Sequence, residues 1–334
     1  MPNKYVPILR WKDGKQEALK NLSDDIKKHV VPLIEVPYTC DTQKNINDCF
    51  QNAWNEHPFY FYLKPEWYED NLKETFDTYY ENFTQISNPN KIPVFDLSNL
   101  VDIKKSRILN KNGIAVKIQN NEFGLIESYL SDLCKNNIID PNTTDLILDL
   151  RYAYTDDYLA RSSFLKAAMV DIENIADYRS VIVSSCSFPK ELIHLECDRI
   201  YRYTRNENKI HHLAQRLSKR YGFHYVYSDH GPSNLEEMEY TVGTIPNFRI
   251  KYTTPETYLF IKGKSIKQND ADNDVSACCQ LLISNSDYNG KNYSWGDGAF
   301  FDMAMQNTSD GISLSKWAGY NFNHHITFVV KQIL

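Results

Sequence analysis

The sequence predicts a (β/α)₈ barrel with a C-terminal extension, and three observations carry that expectation. Eight short apolar stretches recur along the chain and read as buried strands: Tyr5–Leu9, Val31–Ile34, Phe59–Leu63, Ile92–Phe95, Ile114–Val116, Asp145–Leu148, Val181–Val183 and His224–Tyr227. Nearly every stretch runs into a polar or ionisable residue where it ends: Arg10, Glu35, Lys64, Asp96, Lys117, Asp149 with Arg151, Ser184 with Ser185, and Asp229 with His230. Segments with helical spacing separate them. A strand, a polar stop and a helix, repeated about eight times, favour a closed parallel barrel whose C-terminal strand ends share one mouth.

Each unit has its own local grounds. In the first, Lys12-Asp13-Gly14 reads as a turn before a helix from about Lys15 to His29, with Ala18, Leu19, Leu22 and Ile26 on one face and Ser23 as a possible second cap. In the second, Val31-Pro-Leu-Ile-Glu35 leads to a helix over Ile46–Asn55; His57-Pro58 breaks it before the aromatic strand Phe59–Leu63. A helix over Asp70–Ile86 follows. Ile92–Asp96 precedes a short helix at Asp102–Leu109, which Gly113 closes. Ile114–Ile118 precedes Leu125–Cys134, and Asp145–Arg151 precedes a long helix over Asp157–Asp177, with Leu159, Phe164, Ala167, Ala168 and Ile172 at helical spacing. After Val181–Ser187, the amphipathic segment Ile210–Arg220 ends at Gly222 and gives way to His224–Gly231.

After residue 240 the rhythm changes. Asn247–Thr253 and Tyr258–Lys262 read as a hairpin across Thr254-Pro-Glu-Thr, with helical segments at Val275–Ser284 and Gly298–Met305. Residues 1–240 are expected to form the barrel. Residues 241–334 are expected to be an extension packed on it within the same domain and supplying the eighth helix. A single glycine in Trp11-Lys12-Asp13-Gly14 argues against both dinucleotide-binding and P-loop folds.

Composition narrows the function classes. The 334 residues suffice for a large core, and 42% hydrophobic with 24% charged residues is ordinary for a globular protein. A net charge of −6 argues against a surface that coats nucleic acid. Met1-Pro2-Asn3-Lys4 leads straight into a strand, and no long apolar segment occurs. Seven cysteines without a Cys-x-x-Cys pair indicate reduced thiols. The expectation is therefore a cytoplasmic protein, with no membrane partner and no zinc site.

Two motifs carry a resemblance. Tyr5-Val-Pro-Ile-Leu-Arg-Trp-Lys12, followed by Glu17-Ala18-Leu19, Leu22-Ser23 and Pro32-Leu-Ile-Glu35, opens the chain; Trp317, followed by Asn323-His324-His325-Ile326-Thr327, closes it. Together they resemble the phage T4-type beta protein family, and they lie at opposite ends, so the likeness spans the chain. The resemblance implies a phage, mobile-element or antiviral-defence context and carries over no catalytic residue.

Chemistry must then be read from the strand ends. Arg10, Lys64, Lys117 and Arg151 are cations suited to a phosphate or carboxylate, and Ser185, with Ser184 and Ser187, adds donors. Asp96 joins this ligand-binding set. Glu35, Asp149, Asp229 and His230 are the candidate catalytic groups, with a carboxylate as general base. This reading is a hydrolase or lyase acting on a small anionic, phosphate- or nucleotide-like ligand. Four carboxylates also suit Mg²⁺ or Mn²⁺, although the interleaved lysines compete for their oxygens. Lys64 or Lys117 could form a Schiff base. The other reading is that acids and bases merely neutralise one another, in a non-catalytic barrel that binds a partner protein. Trp11, Trp67 and Tyr152 could stack on a base or roof the barrel. His211-His212 and His324-His325 are expected to pack rather than bind a metal.

Overall fold

In the computed structural model the described residues are 4–36, 52–63, 88–101, 112–119, 122, 124–155, 157–190, 192, 194–235, 247–265, 271–306 and 313–334. The strands among them are β1 (Tyr5–Arg10), β2 (Leu33–Val36), β3 (Phe59–Leu63), β4 (Lys91–Asp96), β5 (Ile114–Gln119), β6 (Thr144–Tyr152), β7 (Ser180–Cys186), β8 (Ile200–Thr204), β9 (Tyr225–Asp229), β10 (Asn247–Thr253) and β11 (Thr257–Ser265). The helices are α1 (Asp13–Lys20), α2 (Asp24–Lys27), α3 (Leu97–Val101), α4 (Ile126–Lys135), α5 (Asp157–Asp171), α6 (Glu207–Tyr221), α7 (Ala271–Ile283), α8 (Trp295–Ala304) and α9 (Leu314–Ile333).

All eight expected barrel strands form. β1 to β7 pair in parallel in chain order, and β9 joins β7 to β1, so the sheet closes. Strand alternation then divides the side chains between two faces. Val6, Ile8, Leu33, Tyr60, Tyr62, Ile92, Val94, Ala115, Ile147, Ile182 and Val226 form one buried cluster, the barrel interior. Truncating one of these, Ile147→Ala for instance, would cost about 2–5 kcal/mol, because the lost contacts leave a cavity the closed sheet cannot collapse. Two residues further along the same faces stand Arg10, Glu35, Asp96, Lys117, Asp149 and Ser184, and His230 follows just after β9 ends. At the opposite, N-terminal end the interior is sealed by Asp145. It accepts from Arg179 Nη2 at 2.5 Å, Tyr60 Oη at 2.7 Å and Ser180 Oγ at 2.7 Å. A buried carboxylate with that many donors stabilises the lower rim.

The chain divides into two compact units. One holds residues 1–11, 29–186 and 206–230; the other holds 12–28, 187–205 and 231–334. The second unit contains the expected hairpin and a third strand that was not foreseen: β8 pairs antiparallel with β11, in the order β10-β11-β8. β8 has no fully buried position, its residues being half-buried or exposed, and so lacks the apolar run that marks the other strands in the sequence. Its core gathers Phe248, Ile250, Tyr252, Leu259, Ile261, Leu282, Phe300 and Trp317. The last 21 residues are nearly all one helix, α9, capped by Ser313 Oγ on Lys316 N. Gly14 lets α1 cross α9 closely: a Cβ there would lie 2.4 Å from Ser315 O.

Several local expectations are corrected. Lys12-Asp13-Gly14 is no turn, because α1 already begins at Asp13; the interruption expected at Ser23 does occur, and the chain resumes there as α2. α5 ends at Asp171, and Ile175–Asp177 forms a separate 3₁₀ turn after Asn174, whose φ is 53°. The buried side of α5 is Leu165, Ala168 and Met169, while Leu159, Phe164 and Ala167 are exposed. The helix expected at Asp70–Ile86, that at Asp102–Leu109 and most of that at Ile46–Asn55 lie outside the described residues.

Candidate functional site

The barrel mouth is built around one lysine. Lys117 leaves β5 on the interior face and is 2% exposed. Its Nζ lies 3.2 Å from Asp149 Oδ2, 3.8 Å from Glu35 Oε1 and 4.5 Å above the Tyr62 ring. Burial alone would lower its pKa, but the charges of Asp149, Glu35 and Asp96 outweigh burial and raise it above the ordinary lysine value.

Asp149 is fully buried at the end of β6. Oδ1 accepts from Arg151 N at 3.0 Å and Ser184 Oγ at 3.2 Å, and lies 3.6 Å from His230 Nε2. Oδ2 faces Lys117 and, at 4.0 Å, Arg151 Nη1. Burial pushes this carboxyl up, but Lys117, His230 and Arg151 together hold it well below the usual carboxylate range. Asp96 goes the other way. Burial dominates there and raises its pKa to about 6, against the pull of Lys117 and the Tyr62 hydroxyl, which donates to Oδ2 at 2.9 Å and reaches Oδ1 at 3.1 Å. Glu122 adds to the rise, while its carboxylate accepts from Gln119 N and Ser98 N. Two carboxylates beside one ammonium thus titrate on opposite sides of their ordinary value, the pattern by which proton-transfer sites separate an acid from a base.

Arg10 and Arg151 complete the rim. Arg10 Nε is 4.0 Å from Glu35 Oε2, in the register pair Arg10–Glu35. Arg151 sits at a bulge in β6, where the register shifts between Asp149 and Tyr152, and its φ is 56°. A bulky residue in the left-handed region stores backbone strain, and such bulges re-aim side chains beside functional sites. Its side chain is 37% exposed, the most open of the cluster's cations among the described residues.

The structure gathers Arg10, Glu35, Asp96, Lys117, Asp149, Arg151 and His230, and leaves others out. Asp229 is a correction: it points to the other face of β9, where Tyr5 Oη donates at 2.5 Å and Tyr227 Oη at 3.0 Å. Ser185 shares that face, being in register with Asp229, and Ser184 takes the inward place. Ser187 is buried and belongs to the other compact unit. Lys64 and Trp67 lie outside the described residues. Trp11 and Tyr152 are buried rather than open for stacking. Tyr62 was missed; its alternation with Tyr60 in an aromatic strand was the available signal. Lys117 stands among Glu35, Asp96 and Asp149, where a divalent ion would have to sit, so the Mg²⁺ or Mn²⁺ reading does not fit these three carboxylates. That same pairing keeps Lys117 charged and so disfavours it as a Schiff-base amine.

The sequence profile of the family described as Beta protein matches residues 5–331. The chain belongs to the Beta protein family. No curated protein and no solved structure matches it. The closing motif of this family member now has a physical account within the second compact unit. Asn323 Nδ2 donates to Ala18 O at 3.0 Å, and its Oδ1 accepts from Gly296 N at 3.2 Å. His324 is fully buried, with Nδ1 2.8 Å from Asp297 Oδ2 and Nε2 2.8 Å from Thr253 O, and it stacks on Tyr252. His325 Nδ1 lies 2.8 Å from Thr253 Oγ1. Three successive residues of α9 therefore tie α1, α8 and β10 together, which is packing, as expected. His211 likewise bonds Tyr225 Oη through Nδ1 at 2.8 Å. No described helix is long and apolar enough to cross a membrane.

Proposed function

We propose that this Beta protein family member is a barrel enzyme whose mouth binds a small anionic, phosphate- or nucleotide-like ligand and moves a proton with Asp96. The observation that carries the reading is the opposed titration of Asp96 and Asp149 around Lys117. Asp149 and Lys117 form the fixed charge pair. Asp96, poised near neutrality, is the group whose proton can come and go at working pH. While Asp96 holds its proton, the cations Arg10, Lys117 and Arg151 are matched in number by the carboxylates Glu35, Glu122 and Asp149 among the described residues. Once Asp96 ionises the acids outnumber the cations, so the mouth accepts an anion best while Asp96 is protonated. Arg151 and Arg10 would grip it, and His230 would serve as the second proton carrier. A hydrolase or lyase reaction on such a ligand suits these groups.

The test is native mass spectrometry and calorimetry on the full chain. The expected result is a co-purifying anion, or saturable binding of inorganic phosphate or a nucleotide, that is lost in Arg151→Ala while the melting temperature holds. Unchanged binding in Arg151→Ala, or no anion bound by the parent protein, would refute the reading.

One observation favours a second reading, a barrel that binds a partner protein in phage–host conflict, as the family resemblance implies. α5 leaves Leu159 57%, Phe164 38% and Val170 75% exposed. Charged substitutions at these positions that abolish capture of a defined partner, and leave anion binding intact, would support it.

A further inference from the structure

Within the second compact unit, two carboxylates and a buried thiol converge where the barrel mouth plays no part. Asp274 and Cys278 stand one turn apart on α7, a spacing that puts both side chains on one face. Cys197 and Asp198 are adjacent in the segment leading into β8. Donor atoms of Asp198, Asp274 and Cys278 all lie within 4.8 Å of one another. Cys278 Sγ is 3.8 Å from Asp198 Oδ1. Cys278 and Asp274 are buried and Asp198 is on the surface, so the cluster has a floor and an opening.

The cluster already draws one positive charge, from the protein's own Lys264. Asp274 Oδ2 accepts from Lys264 N at 2.7 Å, but Oδ1 faces Lys264 Nζ at 3.9 Å, beyond hydrogen-bond reach. The same ammonium stands 4.0 Å from Asp198 Oδ2 on a side chain that is 55% exposed. Lys117 in the mouth is buried and 3.2 Å from its carboxylate, but this ammonium is half exposed and beyond hydrogen-bond reach of both acids, so an incoming divalent ion could displace it into water. Cys197 Sγ donates to Gly263 O at 3.5 Å. Gly263 passes so close to Asp274 that a Cβ would lie 2.6 Å from its Oδ2, which puts Cys197 beside the cluster.

We propose that Asp198, Asp274 and Cys278, with Cys197 turning in as the fourth donor, bind a thiophilic divalent cation of the zinc class. Mixed sulfur and carboxylate donors in a four-coordinate set suit that class better than an all-oxygen cation such as magnesium. On binding, the two thiols release their protons to solvent, the sulfurs ligate as thiolates, and Lys264 is displaced.

The full chain, stripped with a chelator, is titrated with Co²⁺ alone. The expected result is saturation at a single equivalent, with a thiolate-to-cobalt charge-transfer band that Zn²⁺ abolishes. Cys278→Ser loses the band. Asp198→Asn, a surface substitution that leaves the core intact, weakens Co²⁺ by more than the roughly 10–100-fold that loss of an outer-shell partner costs. No saturable band in the parent protein, or full affinity retained in Asp198→Asn, overturns the proposal, and Asp198→Asn decides the matter if Cys278→Ser does not fold.

Discussion

Lys117 Nζ and Asp149 Oδ2 meet at 3.2 Å inside the barrel although the two residues are not register partners. Lys117 is level with Ile147, and Asp149 with Gln119. The pair is diagonal, one pleat apart on the interior face, so the lysine stem climbs toward the mouth to reach its carboxylate. Both charges are out of water, where an ammonium or a carboxylate survives only with a partner.

Removing one member should therefore hurt more than removing both. Lys117→Met is expected to lower stability by about 3–5 kcal/mol, because Asp149 is left buried with weaker company. Lys117→Met combined with Asp149→Leu should recover part of that loss. Urea unfolding of the parent, the two single variants Lys117→Met and Asp149→Leu, and the double variant measures it; a double variant that loses the sum of the two single losses contradicts the pairing.

Asp96 predicts a pH dependence of a definite sign. Its folded pKa of about 6 lies above the ordinary 3.8, so the folded protein holds this proton more tightly than the unfolded chain. The group favours folding most below the unfolded value, and that favour is lost as pH rises from about 3.8 to 6, a penalty of about 3 kcal/mol on the alkaline side. Asp96→Asn should therefore be stabilised relative to the parent near pH 8 and lose that advantage near pH 4. Anion affinity should rise in the parent as pH falls through about 6, and be flat across that range in Asp96→Asn.

Arg151 separates strain from function. With φ at 56°, glycine at this position should gain about 1 kcal/mol of stability by relieving the left-handed conformation. Arg151→Gly should melt higher and bind phosphate worse; Arg151→Ala should bind worse with no thermal gain. A glycine variant that melts lower than the alanine variant would show that the backbone strain is not relieved there.

His324 is expected to matter for folding alone. Asp297 also accepts from Tyr252 Oη at 2.7 Å and from Ser294 Oγ at 2.5 Å. Burial pushes this carboxyl up, but His324 and those hydroxyls hold it below its ordinary value. A depressed acid contributes stability above its unfolded pKa and loses it as pH falls through the lower folded one. His324→Ala removes one of the hydrogen-bond partners of this buried carboxylate, at a cost of about 1–3 kcal/mol. Denaturation near pH 7 tests this, and an unchanged midpoint would contradict it.

The strand ends were legible because apolar runs give way to charged side chains as the strands near the barrel mouth, although β5 and β6 continue two and three residues beyond Lys117 and Asp149. Glu35, Asp96, Lys117 and Asp149 were found by that signal. Asp229 satisfied it equally and still faces the other way. Ser185 and Ser184 differ by a single position, and only Ser184 meets Asp149. The closing helix was hidden because its residues are buried nearly all round, so no polar face marks a helical period. β8 was hidden for the opposite reason, since its pairing partner β11 lies more than fifty residues away and it has no fully buried position.

By itself the sequence determined that eight strands alternate with helices, close into a barrel and bring polar residues to one rim. It did so because apolar runs, stops and spacings are local properties of the chain. Only the tertiary structure decided which of those polar residues face inward, which cation each acid meets, and that Asp96 and Asp149 titrate in opposite directions. A strand's side chains alternate with a period of two, so a shift of one residue exchanges the faces, and burial and charge act between groups that are distant in sequence.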